Sequence, residues 1–337
     1  MKKFLNILLV GLLAIATAVM CVACTPDNNG GTGGKSGLLL KKIDGVYTVY
    51  DYVAVEGETT LDIGEVLKSK NITEDINIKA GAFDGVTTLT KIIVPANVKE
   101  IAEGAFRKMS NLKTIELPFV GKTVNSDAFF KESATATDKS VDKARTIAHL
   151  FGTEEYDGGK NVTINAGNTT VSCYMPVTLE KVIINAQKVS EGKNSYSIPM
   201  HAFDGATNLK AVELKGAMLG AIGENAFSGC IALKSIEIPE TVKTIYSNAF
   251  SGCSKLENVI FKGTVELRDS VFSGCKQIKY MGESVETAPT VETVSLKNVT
   301  ALGENTLDFA NEYVTYQVLD AGMLDLVKAF GETKYNY

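Results

Sequence analysis

Residues 222–250 read IGENAFSGCIALKSIEIPETVKTIYSNAF, and the stretch opens and closes on one phrase. Ile222, Ala226 and Phe227 return 23 residues later as Ile245, Ala249 and Phe250. Working outward, the phrase recurs at Ile78/Ala82/Phe83, Ile101/Ala105/Phe106, Val124/Ala128/Phe129, Ile198/Ala202/Phe203 and Leu267/Val271/Phe272. A worn copy stands at Leu302/Thr306/Leu307. Successive small-residue positions are spaced by 23, 23, 74, 24, 23 and 22. A fixed period in the twenties marks a solenoid, in which each repeat is one coil that buries its apolar face only against its neighbours.

A second pattern lies between the phrases: Leu89/Ile92/Val94, Leu112/Ile115/Leu117, Leu179/Val182/Ile184, Leu209/Val212/Leu214, Leu233/Ile236/Ile238, Leu256/Val259/Phe261 and Val291/Val294/Leu296. Its last two positions alternate, which is strand periodicity. Pro95, Pro118 and Pro239 follow three of these runs, where a residue without an N–H donor ends ladder pairing. Gly85, Gly205, Gly229, Gly252 and Gly274 come two residues after each aromatic and suit a left-handed turn.

These residues carry a resemblance. AFSGC, LKSIEIP and TVKTI resemble the BspA-type leucine-rich repeat of bacterial surface proteins, over roughly residues 75–310. Segments 118–121, 150–152 and 174–176, and the ending 316–337, are similar to that family too. The resemblance implies a leucine-rich-repeat solenoid, mostly β with short helical turns, a curved stack of ~23-residue coils closed by N- and C-terminal caps. It also implies a role in adhesion and protein binding at the cell surface.

The remaining segments fit around the array. Residues 1–24 read as a lipoprotein signal peptide: Lys2 and Lys3, an apolar run from Phe4 to Val22, then Cys24 as the lipidated residue, with Cys21 three positions before it where such boxes usually carry Leu. The competing reading is an uncleaved membrane anchor. Residues 25–37, TPDNNGGTGGKSG, are expected to be a flexible tether reaching about 20 Å. Gly34-Lys35-Ser36 is no phosphate loop, because Asn29 stands where the first glycine belongs. Residues 38–77, rich in Val and Tyr, read as strand and as the N-terminal cap. The solenoid covers 78–312, with an insertion at about 131–173 that holds a helix over 137–151, capped by Asp138, and a loop over 152–173. Residues 313–337 read as a strand (Tyr313 to Val318), a short helix (Met323 to Phe330) and the C-terminal cap.

Chemistry is sparse. Formal charge is −5, and loss of Lys2 and Lys3 with the leader makes it −7, which argues against nucleic acid. Cys230, Cys253 and Cys275 occupy a slot that holds Val86, Met109 and Ala206 elsewhere, so they read as core residues rather than disulfides or metal ligands. Cys173 lies outside the register with no evident partner. His149 and His201, the two histidines, read as ordinary surface residues. Phe83, Phe106, Phe129, Phe203, Phe227, Phe250 and Phe272 are expected to stack as a column. No nucleophile elbow, paired acidic motif or dinucleotide fingerprint is present, so no catalytic, cofactor or metal residue is assigned.

What remains is the outer side of the strands. Lys91, Ile93, Thr114, Glu116, Lys181, Ile183, Ala211, Glu213, Ser235, Glu237, Asn258 and Ile260 alternate with the inward residues, and stacking lines them into two files about 4.8 Å per step. This is the candidate binding face. The partner expected is an extracellular or envelope protein, with the membrane engaged through the N-terminal lipid. A glycan-binding or glycan-processing lipoprotein and a purely structural envelope protein are the alternatives; the first needs exposed aromatics, and the chain has no Trp.

Overall fold

A computed structural model describes residues 37–124, 143–166, 169–187, 196–216, 218–283, 293–295, 298–306 and 315–317. The leader, Cys24 and most of the tether, Ala128 and Phe129, the start of the 137–151 helix, Leu307 and the 323–330 helix lie outside the described residues. Among those described, no helix is long and apolar enough to cross a membrane.

The architecture is mostly strands with few helices. A front ladder pairs Thr60–Asp62, Lys91–Ile93, Thr114–Leu117, Lys181–Asn185 and Ala211–Lys215, all parallel. A second ladder beside it pairs Ser235–Ile238, Asn258–Phe261, Tyr280–Gly282, Thr293–Ser295 and Thr315–Gln317. Register keeps the sequence period: Lys91 lies opposite Thr114 and Ser235 opposite Asn258. The legs that follow the front strands form their own parallel ladders, Ile76–Ile78 with Val98–Ile101, extended by Val46–Tyr52 at the N-terminal end, then Tyr196–Ile198 through Val299–Leu302.

The Ala-Phe phrase closes each repeat in a tight turn. Its N–H groups donate sideways to the next repeat, Phe227 to the Ala249 carbonyl at 2.7 Å and Phe250 to Val271 at 2.9 Å, so the turns are hydrogen-bonded between repeats as the strands are. The glycine after the aromatic has φ between 68° and 76° at Gly229, Gly252 and Gly274, a region where a side chain is costly. Ala82, Ala105, Ala202, Ala226 and Ala249 are buried, and in the worn copy Thr306 takes that slot and turns its hydroxyl to the Arg268 carbonyl at 2.6 Å.

The phenylalanines stack. Phe203, Phe227, Phe250 and Phe272 lie 4.9, 4.9 and 5.5 Å apart between ring centroids with interplanar angles of 9°, 2° and 13°. Phe83 and Phe106 stack at 5.2 Å, and Tyr52 extends the column at 5.8 Å from Phe83. Beyond Phe106 the order differs from the sequence reading. The ring next to it is Phe151, at 6.5 Å, and the place assigned to Ala128 and Phe129 is held by Leu150 and Phe151, whose turn receives the Gly104 and Phe106 N–H groups.

That exchange explains a second correction. Over its described part the expected helix over 137–151 is two short 3-10 turns, Lys143–Arg145 and Ile147–Leu150, the second capped by Thr146, while Asp138 lies outside the described residues. The carbonyls of His149 and Leu150 point sideways to Gly104 and Phe106, which an α-helix would deny them. The expected loop over 152–173 is largely an antiparallel hairpin, Gly159–Ala166 with Thr169–Pro176. Val162, Ile164, Cys173 and Met175 are buried while Asn161, Thr163 and Ser172 are exposed, a strand alternation hidden by a Gly, Asn and Thr composition. The inserted chain therefore extends to Pro176, and the front ladder passes directly from Thr114–Leu117 to Lys181–Asn185.

Residues 38–77 are more than strand. Leu38–Ile43 and Val46–Tyr52 form a hairpin over Asp44-Gly45, both at positive φ (49° and 82°), as a two-residue turn of this kind requires. A helix, Ile63–Ser69, follows, with Asp62 accepting from the Glu65 N–H at 3.1 Å and Ile63, Val66 and Leu67 buried at helical spacing.

Both histidines are buried, against expectation, at 4% and 5% exposed. Each stands just before the small-residue position of its turn, where Gly81, Gly104 or Asn225 stands elsewhere, and that position is roofed by the neighbouring repeats. His201 sits at φ 55° and its Nδ1 lies 2.7 Å from Asp204 Oδ2.

Cys230, Cys253 and Cys275 are fully buried and free. Each thiol donates to the carbonyl of the phenylalanine one repeat earlier: to Phe203 at 3.2 Å, Phe227 at 3.1 Å and Phe250 at 2.9 Å. Burial raises the Cys230 thiol; Cys253 is raised by its hydrogen bond with Cys275 and then by burial. Thiols held protonated inside a core are poor nucleophiles. Thiol labelling of the native protein will be slow at all three and complete on denaturation without reductant. The triple change to Ala will keep the fold and lose about 1 kcal/mol per site. A reductant requirement under denaturing conditions would show them to be bridged.

Candidate binding face

The front ladder sets the candidate residues in register. Lys91, Thr114, Lys181 and Ala211 form one file; Ile93, Glu116, Ile183 and Glu213 form the next. In the second ladder Ser235 lies opposite Asn258 and Glu237 opposite Ile260. Their inward neighbours, Ile92, Ile115, Val182, Val212, Ile236 and Val259, are buried, so backbone alternation fixes which side chains reach the outer surface. Parallel strands with this inward set leave the outer files at a constant spacing.

The middle of the face is tied by charge. Glu213 accepts from Lys181 and from Lys215, the latter at 2.7 Å, and these two hydrogen bonds hold its carboxyl below the usual range. Lys215 is raised in turn by its bond to Glu213. One strand over, Asn185 Nδ2 donates to Glu116 Oε1 at 3.0 Å, and Gln187 donates to Asn185 at 3.1 Å. Ile183 stands between Glu116 and Glu213 in the register, and these side chains cover it to 6% exposure. It was expected as an exposed apolar position; the longer side chains on either side shield it instead. Ile93 and Ile260 are half-exposed, and Ser235 and Glu237 are exposed. Partly exposed ion pairs of this sort add little stability, well under about 1 kcal/mol each, so they are available for exchange with a partner's groups.

The structure adds three residues the sequence reading missed. Asn185 and Lys215 continue the files one step beyond the Ile-x-Ile core, since both strands run five residues. Tyr280 joins the Asn258 file, opposite Asn258 in the register, and is 8% exposed. Its signal was present: Ile278 precedes Met281 by three, the same spacing as Leu256 and Val259.

At the Ala-Phe turns, Ala80, Gly81, Glu103, Gly104, Arg107 and Gly152–Glu154 line an open cleft of about 460 Å³. Arg107 bridges Asp84 at 2.6 Å and Glu154 at 3.2 Å across it, so its charge is satisfied within the protein. Among the described residues no group of three or more His, Cys, Asp or Glu could hold a metal ion.

The sequence model of the BspA type leucine rich repeat region matches in six copies, over residues 67–150 and 177–304, well over half of the chain. The chain belongs to the BspA-type leucine-rich-repeat family. The break in the match falls on the segment containing the hairpin 159–176. No curated protein matches the chain. Similar solved structures include a leucine-rich-repeat protein of T. pallidum (17% identity, 88% of this chain and 94% of that one, TM-score 0.36). A leucine-rich-repeat protein of Bacteroides ovatus matches at 18% identity over 86% of this chain and 72% of that one, TM-score 0.33. A leucine-rich cell surface protein of Faecalibacterium prausnitzii matches at 15% identity over 76% and 96%, TM-score 0.26. The BspA-type repeat accounts for both the Ala-Phe turns and the front strands that carry the candidate face.

Proposed function

We propose that this chain is a lipid-anchored envelope protein that binds an extracellular or envelope protein through the outer face of its front strands. The repeats would form one curved solenoid, closed by the 38–52 hairpin at one end and by residues 313–337 at the other, held to the membrane through lipidated Cys24. The observation that carries the reading is the charge-paired cluster Lys181–Glu213–Lys215 with Glu116–Asn185, set on consecutive parallel strands and flanked by half-exposed Ile93 and Ile260. Mixed charge around scattered apolar groups is the composition of a protein interface rim and core, and it lacks the basic excess that nucleic acid demands. The reading assigns no catalytic step.

Two measurements test it. Protease shaving of intact cells will remove the repeat domain, and intact domain after shaving would count against surface display. Capture of an envelope protein by the full chain will be lost in the double variant Ile93→Asp, Ile260→Asp with unchanged melting; retained capture would place binding elsewhere. For the anchor, Cys24→Ala will release the protein or leave it unprocessed. Mass spectrometry of the wild type will find a lipid on Cys24, and a cleaved but unmodified cysteine there would refute the anchor.

A further inference from the structure

We propose that His149 is an acid-sensitive latch that holds the described inserted chain, residues 143–166 and 169–176, against the repeats. The ring is buried, and neither Nδ1 nor Nε2 makes a well-formed hydrogen bond, although the Ile101 carbonyl lies beside it. That sets it apart from His201, whose Nδ1 faces Asp204. His149 lies in the turn Ile147–Leu150, and this turn joins the insertion to both flanking repeats: Gly104 N–H donates to the His149 carbonyl at 2.9 Å, Phe106 N–H to Leu150 at 2.9 Å, and Ile147 N–H to Ala202 at 2.8 Å.

A proton on this ring would be poorly received. The repeat turn presents Glu103, but that carboxylate is bound to Lys143 at 2.8 Å. Lys143, from the 3-10 turn of the insertion, and Lys122, from the chain after the front strand Thr114–Leu117, both face the ring and repel a positive charge. Lys122 is itself paired with Glu100 at 3.3 Å. The hairpin packs Cys173 against the same region, with its thiol pushed up to about 11 by burial and therefore neutral. The neighbouring turn that receives the Ile147 N–H carries the pair His201 Nδ1–Asp204 Oδ2, at 2.7 Å. Burial lowers the affinity of His149 for its proton, opposed by the Glu103 charge and the Ile101 carbonyl. The closed joint is therefore fully stable above the ordinary imidazole value near 6.5 and weakens as pH falls through the lower folded value.

Opening need not dismantle the array. The front ladder crosses from Thr114–Leu117 to Lys181–Asn185 without using the insertion, so residues 143–166 and 169–176 can detach while those strands stay paired. What would be uncovered is the gap between Phe106 and the Ala202 turn, along with the 460 Å³ cleft that Gly152–Glu154 now wall on one side.

Hydrogen exchange of the full chain tests this from pH 7.5 to 5, corrected for the chemical pH dependence of exchange. Protection at Gly104, Phe106, Ile147 and the 169–176 strand will fall by up to about tenfold per pH unit below ~6, while residues 225–275 hold theirs. His149→Gln, neutral at every pH, will remove the selective fall. Equal loss across the repeats, or the same pH profile in His149→Gln, overturns the latch. Should that variant not fold, the ring proton resonance of His149 in the wild type decides. Titration near or above 6.5 without loss of protection overturns the proposal, and a lower value accompanied by loss supports it.

Discussion

Phe250→Ala will cost about 3–5 kcal/mol and will do so locally, opening the repeats around it before the rest of the array. Phe250 has a ring on each side, Phe227 at 4.9 Å and 2° and Phe272 at 5.5 Å and 13°. Its removal leaves a cavity that neither neighbour can fill, because Phe227 is fixed in its own turn by its N–H bond to the Ala249 carbonyl and Phe272 is itself fully buried in the following turn. The Cys275 thiol also donates to the Phe250 carbonyl, so any relaxation of that turn weakens the following one. Chemical denaturation followed by hydrogen exchange reads both parts of the expectation. Protection will fall first across 225–275, and the front strands Lys91–Ile93 and Thr114–Leu117 will follow only at higher denaturant. A variant that melts like the wild type would mean the column contributes nothing.

The repeat was legible because each of its signals has one local cause. Ala precedes Phe because that position is buried between neighbouring turns, and the residue after next is Gly because φ there is near +70°. Spacing alone therefore placed Phe227, Phe250 and Phe272 in a column. The insertion was less legible because its residues serve partners far away in sequence. Phe151 enters the column beside Phe106 with no Ala before it, and Leu150 fills the small-residue slot. The apolar spacing of Ala144, Ile147, Ala148 and Phe151 imitates a helix while the carbonyls of His149 and Leu150 are committed sideways. The hairpin escaped notice for a compositional reason: Asn, Thr and Gly fill its outer positions, and the buried set Val162, Ile164, Cys173, Met175 is short.

The candidate face was legible in position and less so in character. Lys91, Thr114, Lys181 and Ala211, which alternation points outward, lie in one row of the register. Alternation could not say which outward residues stay exposed. Ile183 is covered because Glu116 and Glu213 flank it in the register, and that register carries a 67-residue offset between paired strands that no local pattern encodes. The histidines show the same limit. His201 replaces a glycine or asparagine of the turn, and its burial depends on the neighbouring repeats, which only the assembled array supplies.

Gly121→Ala will cost on the order of 2–4 kcal/mol and will loosen the insertion rather than the repeats. Gly121 lies just after Pro118-Phe119-Val120, where the chain leaves the front strand. Its φ is 86°, which an L side chain adopts only with strain, and a Cβ there would stand 2.3 Å from the Ala144 carbonyl oxygen and 2.7 Å from Arg145 Cα. Both obstacles are backbone, so no side chain can swing away to relieve them. The 3-10 turn Lys143–Arg145 must move instead, and with it the bond from Lys122 N–H to the Ala144 carbonyl at 2.6 Å. Val120 N–H, which donates to the buried Tyr196 hydroxyl at 2.7 Å, ties the same segment to the next repeat and resists the shift from the other side. The strain therefore has to fall on the insertion. Limited proteolysis and hydrogen exchange of Gly121→Ala will show residues 143–152 opening while 225–275 keep wild-type protection. Gly45→Ala is the control: it carries a positive φ of 82° with nothing within 4 Å of the added carbon, and so it will show only the smaller strain cost, about 1–2 kcal/mol. Equal losses in the two variants would mean that the contact with Ala144 and Arg145 does not hold the insertion in place.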